Sequence, residues 1–311
     1  MRPVSQRFTP LLVLLAWVFP LLGWWAHAQD HSWQADLLSW RAAHAKDLLK
    51  PDGWLSLVGL EWLEPGDNPV GSAPDNRIRL KSGPAYLAVL HLEKDLVTLN
   101  PPASGFPREL LVEGRPATRQ TLRTDGNNDK VSPHLTVGTL NMYVIRRQER
   151  FALRVKDSQS PSITGFHGLR WYAPDPNYRV TAKWIPYTPP KTITLDTLVG
   201  TKYDQPVPGG AEFTLGAKSF RLEPVLEDPL REELFFILRD TTSKTTTYGA
   251  CRFLYTGFPS NGLARTGELV LDFNRLENPP CAYTPYATCP LPPPINRLSV
   301  ALPAGEQRYH P

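Results

Sequence analysis

Two neighbouring stretches near the C terminus carry side chains that could bind a small ligand. Asp272, Asn274 and Arg275 come where a predicted strand ends and a proline-rich segment begins, and such positions often supply ligand contacts. Tyr248 and Arg252 belong to the preceding predicted strand, where their even separation places them on one face. A guanidinium can hold a carboxylate or phosphate through two parallel hydrogen bonds. The sequence therefore predicts that these five residues bind a small polar or anionic molecule.

The same residues allow other functions. Asp272 could be the acid or base of a metal-independent hydrolase or lyase. Alternatively, Asp272 pairs with Arg252, while Asn274 and Asn278 close Asx turns and have a structural role only. The protein could also be a structural interaction module of the cell envelope. A deep pocket that exposes Arg252 and Asp272 would favour binding or catalysis, and a flat surface would favour the module.

Familiar catalytic and cofactor motifs are absent from the sequence. It contains no Gly-x-Ser-x-Gly elbow, no His-Glu-x-x-His pair and no glycine loop for phosphate. His134 and His167 could act as bases, but no partner is evident near either one, and a structural role is favoured. We therefore predict neither a metal nor a cofactor.

Three cysteines follow residue 250. Cys281 and Cys289 enclose a short loop and are candidates for a disulfide in an oxidising compartment. That bond would contribute about 2.5 kcal/mol by the loop-closure relation. Two free thiols, or a metal pair with unusually wide spacing, are the alternatives. Cys251, in a strand-like run, is interpreted as a small buried apolar residue.

The N terminus has the pattern of an export signal. Arg2 and Arg7 precede an apolar run, Leu11–Trp25, which is followed by the small-residue motif Ala26–Ala28. This order is typical of a signal peptide cleaved before Gln29. A permanent span needs about 20 apolar residues. The sequence therefore predicts a periplasmic or secreted protein with no stable membrane insertion after cleavage.

Charge and composition narrow the partners and the fold class. The formal net charge is +4, and the signal peptide contributes two of the positive residues. Arg146 and Arg147 form the most notable basic pair, and we predict no binding to nucleic acid, which would need a denser basic patch. The 33 prolines favour short strands joined by rigid turns over long helices.

Residue periodicity predicts an all-β fold, mainly an antiparallel sandwich or barrel, with one N-terminal amphipathic helix. Apolar or aromatic residues recur at helical spacing near residues 31–50: Trp33, Leu37, Trp40, His44 and Leu48. Short alternating strands with frequent turn signals follow. The clearest hairpin joins residues 139–146 to residues 151–156, with Phe151, Leu153 and Val155 on one face and Ala152, Arg154 and Lys156 on the other.

The predicted units are a signal peptide (1–28), the helix with a first β section (29–186), and a second β section (187–311). The second section ends in a proline-rich strap, residues 278–294, whose interleaved aromatics indicate packing on the protein body. We expect Arg252 and Asp272 to lie on neighbouring strands within one side chain's reach of each other, under this strap.

Several segments carry a resemblance to a known family: 247–255, 271–275, 278–293 and 296–298, together with 52–55 and 151–157. They resemble the bacterial domain-of-unknown-function family numbered 1684, over nearly all of the mature chain. The resemblance implies no assigned activity, but it implies that residues 272–296 are the characteristic segment of the family. Cys251 stands where the family has glycine.

Overall fold

The computed structural model describes residues 19–124 and 132–310. Most of the predicted signal peptide and the predicted turn at residues 125–128 lie outside the described residues. Strands account for 42% and helices for 15% of the structure, and the antiparallel sheets do not close into a barrel. The all-β prediction is confirmed, as an arrangement of open sheets.

The first half forms two sheets that pack face to face. Their strand orders are β1-β11-β10-β9-β6-β7 and β3-β2-β4-β5-β8, from strands β1 (Leu57–Trp62), β2 (Gly66–Gly71), β3 (Ile78–Arg79), β4 (Ala88–Glu93), β5 (Leu96–Asn100), β6 (Leu111–Val112), β7 (Arg115–Pro116), β8 (Gln120–Leu122), β9 (Leu135–Val137), β10 (Leu140–Arg147) and β11 (Arg150–Asp157). One buried apolar cluster takes residues from both sheets, as expected for a sandwich.

The β10–β11 hairpin confirms the predicted alternation of faces. Phe151, Leu153 and Val155 belong to the sandwich core. Ala152 and Arg154 are buried on the opposite face of the same strand, which is turned away from that core because successive side chains alternate.

The second half contains a four-stranded sheet, β14-β13-β12-β17, and a two-stranded sheet, β15-β16. The strands are β12 (Arg179–Asp196), β13 (Lys202–Leu215), β14 (Lys218–Leu222), β15 (Glu233–Leu238), β16 (Arg252–Gly257) and β17 (Gly267–Asp272). Trp184, Phe236 and Phe273 are fully buried in its main core.

Residues 184–190, at the boundary between the two predicted β sections, do not form a separate linker. These residues form the middle of β12, whose register with β13 shifts between Pro186 and Lys191. Proline keeps the chain extended but removes a backbone donor, so the segment stays strand-like with a local irregularity. The division of the chain at residue 187 stays a prediction; β12 passes through that point as a continuous strand.

Two helices are present in the described ranges, α1 (Phe19–Leu48) and the short α2 (Pro161–Thr164). The N-terminal helix was predicted, and α2 was not. α1 buries Leu37 and Leu48, and its Arg41 donates to the backbone oxygens of Tyr172 (2.9 Å) and Asn274 (3.1 Å). No helix in the described part of the chain is both long and apolar enough to cross a membrane.

The strap, residues 278–294, lies against the body as predicted and connects the two halves. Thr284 donates to the backbone oxygen of Leu57 in the first half at 2.9 Å. In the second half, the backbone oxygen of Cys289 accepts from Leu198 at 3.0 Å. The strap therefore forms one wall of the space between the halves.

Candidate functional site

Arg252 lies in the core of the second half. Its side chain is 1% exposed and donates to Asp240 at 2.6 Å, to the backbone oxygen of Leu302 at 2.9 Å and to that of Ala304. The expectation of a contact with Asp272 is wrong. The carboxylate beside the Arg252 guanidinium belongs to Asp240, which follows β15, the strand that pairs with β16. These contacts tie β16 to the C-terminal residues.

Asp272, Asn274 and Arg275 hold α1 in place. The Asp272 carboxylate accepts from the Trp33 indole at 2.7 Å and from the Asn274 amide at 3.1 Å. Asn274 is fully buried, and Arg275 forms an ion pair with Asp36 of the helix. Asp272 caps the turn after β17. The Asx turns were predicted at Asn274 and Asn278, whose side chains instead donate to Asp175 and Glu306.

Tyr248 does not lie on a strand, so the expectation that it shares a strand face with Arg252 is wrong. The β-branched run before it looked like a strand, but Asp240 caps a 3₁₀ turn at Thr241–Lys244 and β16 begins only at Arg252. The Tyr248 hydroxyl donates to the backbone oxygen of Cys281 at 3.0 Å.

The cysteines occur as free thiols in the structure. The backbone N–H of Cys281 lies 3.2 Å from the Cys289 sulfur, so the predicted pair is adjacent, and its disulfide stays a prediction. Cys251 is buried, as predicted, and burial raises the pKa of its thiol well above the ordinary value.

A cavity of about 1010 Å³, which we call the cleft, opens between the outer face of the first sheet and the strap. None of the five residues predicted to bind a ligand lines it. Its wall is formed by these residues among others: His44, Trp54, Arg146, Arg147, Arg154, Lys202, Tyr203, Glu227, Phe235, Tyr255, Glu277, Tyr283 and Thr288.

Arg154 is the most unusual group in the cleft. It is 6% exposed, and its guanidinium lies 5.7 Å from the ring centres of both Trp54 and Tyr143. Its only hydrogen bond to a described residue is a long contact of 3.4 Å to the Tyr143 hydroxyl, and its Nε has no partner among these residues. No carboxylate among the described residues forms an ion pair with it. Burial of an uncompensated charge is costly, so an anion in the cleft would be stabilised beside Arg154.

A histidine between two glutamates forms part of the cleft wall. His44 Nδ1 lies 3.3 Å from Glu277 Oε2, and His44 Nε2 lies 3.6 Å from Glu306 Oε2. Glu306 is fully buried and accepts from the Tyr283 hydroxyl at 2.7 Å and from the Asn278 backbone at 2.8 Å. Glu306 is therefore fixed in place and orients His44 towards Glu277.

Burial and neighbouring charges alter the proton affinity of this group. Burial raises the pKa of Glu277 to about 7, the charge of His44 opposes that rise, and Glu306 adds to it. Burial by itself would lower the pKa of His44, but the hydrogen bond to Glu306 and the charges of Glu277, Glu306 and Asp47 raise it overall. Glu277 can therefore gain or lose a proton near neutral pH, as an acid or base must.

A second cavity of about 640 Å³ adjoins the cleft, and we call it the acidic cavity. It shares Glu227, Phe235, Tyr255 and Glu277 with the cleft and adds a further group: Trp40, Asp228, Arg231, Glu233 and Arg275. Arg275 is thus the predicted ligand residue that reaches one of the two cavities.

The sequence analysis missed Arg154, Glu277 and the role of His44. Arg154 is a charged residue inside the apolar strand β11, and this pattern could have identified it as a candidate ligand contact. His44 was taken for part of the apolar helix stripe, and its partners Glu277 and Glu306 lie more than 200 positions away. Within the described residues, no cluster of three or more His, Cys, Asp or Glu side chains could hold a metal ion.

Comparisons with known proteins place the C-terminal half in a family. A family model described as "Protein of unknown function (DUF1684)" matches residues 164–307. The predicted resemblance is confirmed over that range, and the earlier segments 52–55 and 151–157 lie outside it. A solution NMR structure of an uncharacterized protein from gene locus rrnAC0354 of Haloarcula marismortui is 29% identical, covering 46% of this chain and 78% of that one, with a TM-score of 0.39. No curated protein matches the chain.

Proposed function

We propose that this chain, whose residues 164–307 match the model of the DUF1684 family of proteins of unknown function, binds a small anionic molecule in the cleft, with Arg154 as the main contact. The observation that carries this proposal is the burial of Arg154 with no counter-ion among the described residues. A buried guanidinium is stabilised by a carboxylate or a phosphate, which it can hold through two hydrogen bonds.

The surroundings of Arg154 support an anionic ligand. Arg146 and Arg147, at the turn end of the same hairpin, also line the cleft, and Lys202 approaches from β13. Lys202 has an exposed partner, Asp196, at 3.2 Å, and such surface pairs are weak. A cavity of this volume accommodates an ordinary small molecule.

Titration of the protein with inorganic phosphate, followed by calorimetry, tests the proposal. We expect Arg154→Met, which keeps most of the side-chain volume, to weaken phosphate binding at least about tenfold. Arg150→Met is the matched control, because Arg150 lies on the same strand and stacks on Trp62 at 3.7 Å, outside the cleft lining. Wild-type affinity in Arg154→Met, or no binding of phosphate by the wild type, would refute the proposal.

Acid–base catalysis on the bound anion is a second candidate function. Its support is the placement of Glu277 in the cleft wall, 3.3 Å from His44. Asp272, the residue predicted from sequence, is a weaker candidate because its carboxylate accepts from Trp33 and Asn274. In a screen of phosphate and carboxylate esters, Glu277→Gln should lose turnover while Asp272→Asn keeps it. Equal turnover by Glu277→Gln and the wild type would exclude this candidate.

Export is proposed from the N-terminal pattern of the sequence. Cleavage before Gln29 would remove the first part of α1 and keep the residues through which it packs, such as Trp33, Arg41 and His44. N-terminal sequencing of the protein from its native compartment should start at Gln29. A chain that still begins at residue 1 or 2 would contradict cleavage.

A further inference from the structure

The cleft and the acidic cavity are two ends of one depression. They share four wall residues, Glu227, Phe235, Tyr255 and Glu277. A ligand held at Arg154 in the cleft therefore has a continuous path towards the acidic cavity, and the chemistry of that second end restricts what the ligand can be.

The acidic cavity has an excess of carboxylates. Its two arginines are engaged: Arg231 lies 3.4 Å from Asp228, and Arg275 pairs with Asp36. Glu227 and Glu233 form no ion pair with any described residue. The cavity therefore carries negative charge that its own cations do not compensate.

These carboxylates lie close enough to repel one another. Burial raises the pKa of Glu227, and the charge of Glu233 adds to the rise while Arg231 opposes it. Burial also raises the pKa of the Tyr255 hydroxyl, with Glu277, Glu227 and Glu233 all contributing. Three carboxylates, Glu227, Glu233 and Glu277, thus line the same cavity as Tyr255, and a cation among them would relieve their repulsion.

Aromatic faces complete the acidic cavity. Phe235 and Tyr255 stack with ring centres 4.7 Å apart and planes 8° apart. Trp40 already receives the guanidinium of Arg275 at 5.3 Å from its ring centre. Aromatic faces beside carboxylates are a favourable environment for an ammonium group.

From the opposite charges of the two ends, we propose that the ligand is dipolar, with a phosphate or carboxylate at Arg154 and an amine in the acidic cavity. The buried Arg154, whose Nε has no partner among the described residues, lies in the same depression as the carboxylates and supports the anionic end of such a ligand. This inference rests on the proposed anion binding and adds the chemical class of the ligand.

The test compares alkylphosphonates with ω-aminoalkylphosphonates of equal chain length, over a series of increasing lengths, by titration calorimetry. At the best length, we expect the amine to improve affinity about tenfold over its methyl-ended counterpart. Glu227→Gln combined with Glu233→Gln should abolish that advantage. Because it removes two negative charges beside the anion, it should leave the affinity for the simple alkylphosphonate equal to or above that of the wild type. Glu232→Gln is the matched control, because Glu232 adjoins Glu233 but does not line either cavity.

The outcomes separate this inference from the anion-binding proposal. If alkylphosphonates bind through Arg154 but an amine gives no advantage at any length, the ligand is not dipolar and the anion-binding proposal stands. An amine advantage that persists in the double glutamine variant also overturns the inference. If no phosphonate binds the wild type, anion binding itself is refuted.

Discussion

Arg154 and Arg252 are both buried arginines on β-strands, with 6% and 1% of their surface exposed, yet their surroundings differ completely. Arg252 has a carboxylate partner, Asp240, and two backbone acceptors. Arg154 has two aromatic neighbours and one long hydrogen bond to Tyr143. The Nε of both guanidiniums lacks a hydrogen-bond partner among the described residues, so the difference is the carboxylate and the two backbone oxygens that Arg252 alone contacts. A buried charge with a carboxylate partner holds a fold together, whereas one without a carboxylate has capacity for an anionic ligand.

The largest expected effect follows removal of Arg252. Arg252→Met leaves the Asp240 carboxylate, 3% exposed, without its cation, so we expect a loss of about 3–5 kcal/mol in the free energy of unfolding. Urea denaturation measures this loss. If the variant does not fold, Arg252→Lys, which keeps the charge, should fold and show a smaller loss. A loss below about 1 kcal/mol for the methionine variant would show that Arg252 contributes no more to the free energy of unfolding than Arg154 does.

An intermediate effect is expected from Glu277, which lines both the cleft and the acidic cavity. Its folded pKa of about 7 exceeds the ordinary 4.5. Between these two pH values, the folded state therefore keeps a proton on Glu277 that the unfolded state has lost. The associated stability is present below about pH 4.5 and is lost as the pH rises through 7. Since one pKa unit corresponds to about 1.4 kcal/mol, the wild type should lose about 3 kcal/mol more than Glu277→Gln between pH 4.5 and 8.

Urea denaturation of both proteins across this pH range measures the difference. The groups that face Glu277 are His44, Glu306 and Glu233. Because the pKa of His44 is also raised, its titration acts in the same direction. Parallel pH curves for the wild type and Glu277→Gln would show that Glu277 keeps an ordinary pKa.

The smallest effect is expected for Arg154→Met, the same substitution as in Arg252. No carboxylate among the described residues loses a partner, so the free energy of unfolding should stay within about 1 kcal/mol of the wild type or increase. Urea denaturation in phosphate-free buffer tests this expectation. If Arg154→Met lowers the free energy of unfolding as much as Arg252→Met does, both arginines stabilise the fold and Arg154 is not available for a ligand.

Local patterns predicted much of the fold. The helical spacing of Trp33, Leu37 and Leu48 indicated α1, and strict alternation indicated the β10–β11 hairpin with Arg154 on the face opposite Phe151. These features depend on a few adjacent residues, so periodicity is enough to find them. The strap was also recognisable, because aromatic residues among its prolines indicate packing.

Local patterns failed where distant residues decide the outcome. The β-branched run 245–247 suggested a strand that included Tyr248, but capping by Asp240 makes that stretch a turn. The boundary between the two β sections was predicted near residue 186, among prolines, although pairing with β13 keeps these residues inside β12. In both cases a contact outside the local window overrides the intrinsic preference.

By itself, the sequence determined the class of the fold, the N-terminal helix, the strap and the resemblance of residues 164–307 to the DUF1684 family. Only the tertiary structure decided which charged residues are compensated. Arg252 meets Asp240, Asp272 meets Trp33, and Arg154 meets no carboxylate among the described residues. The physical reason is that the availability of a charge depends on its partners within a few ångströms, and here those partners come from distant parts of the chain.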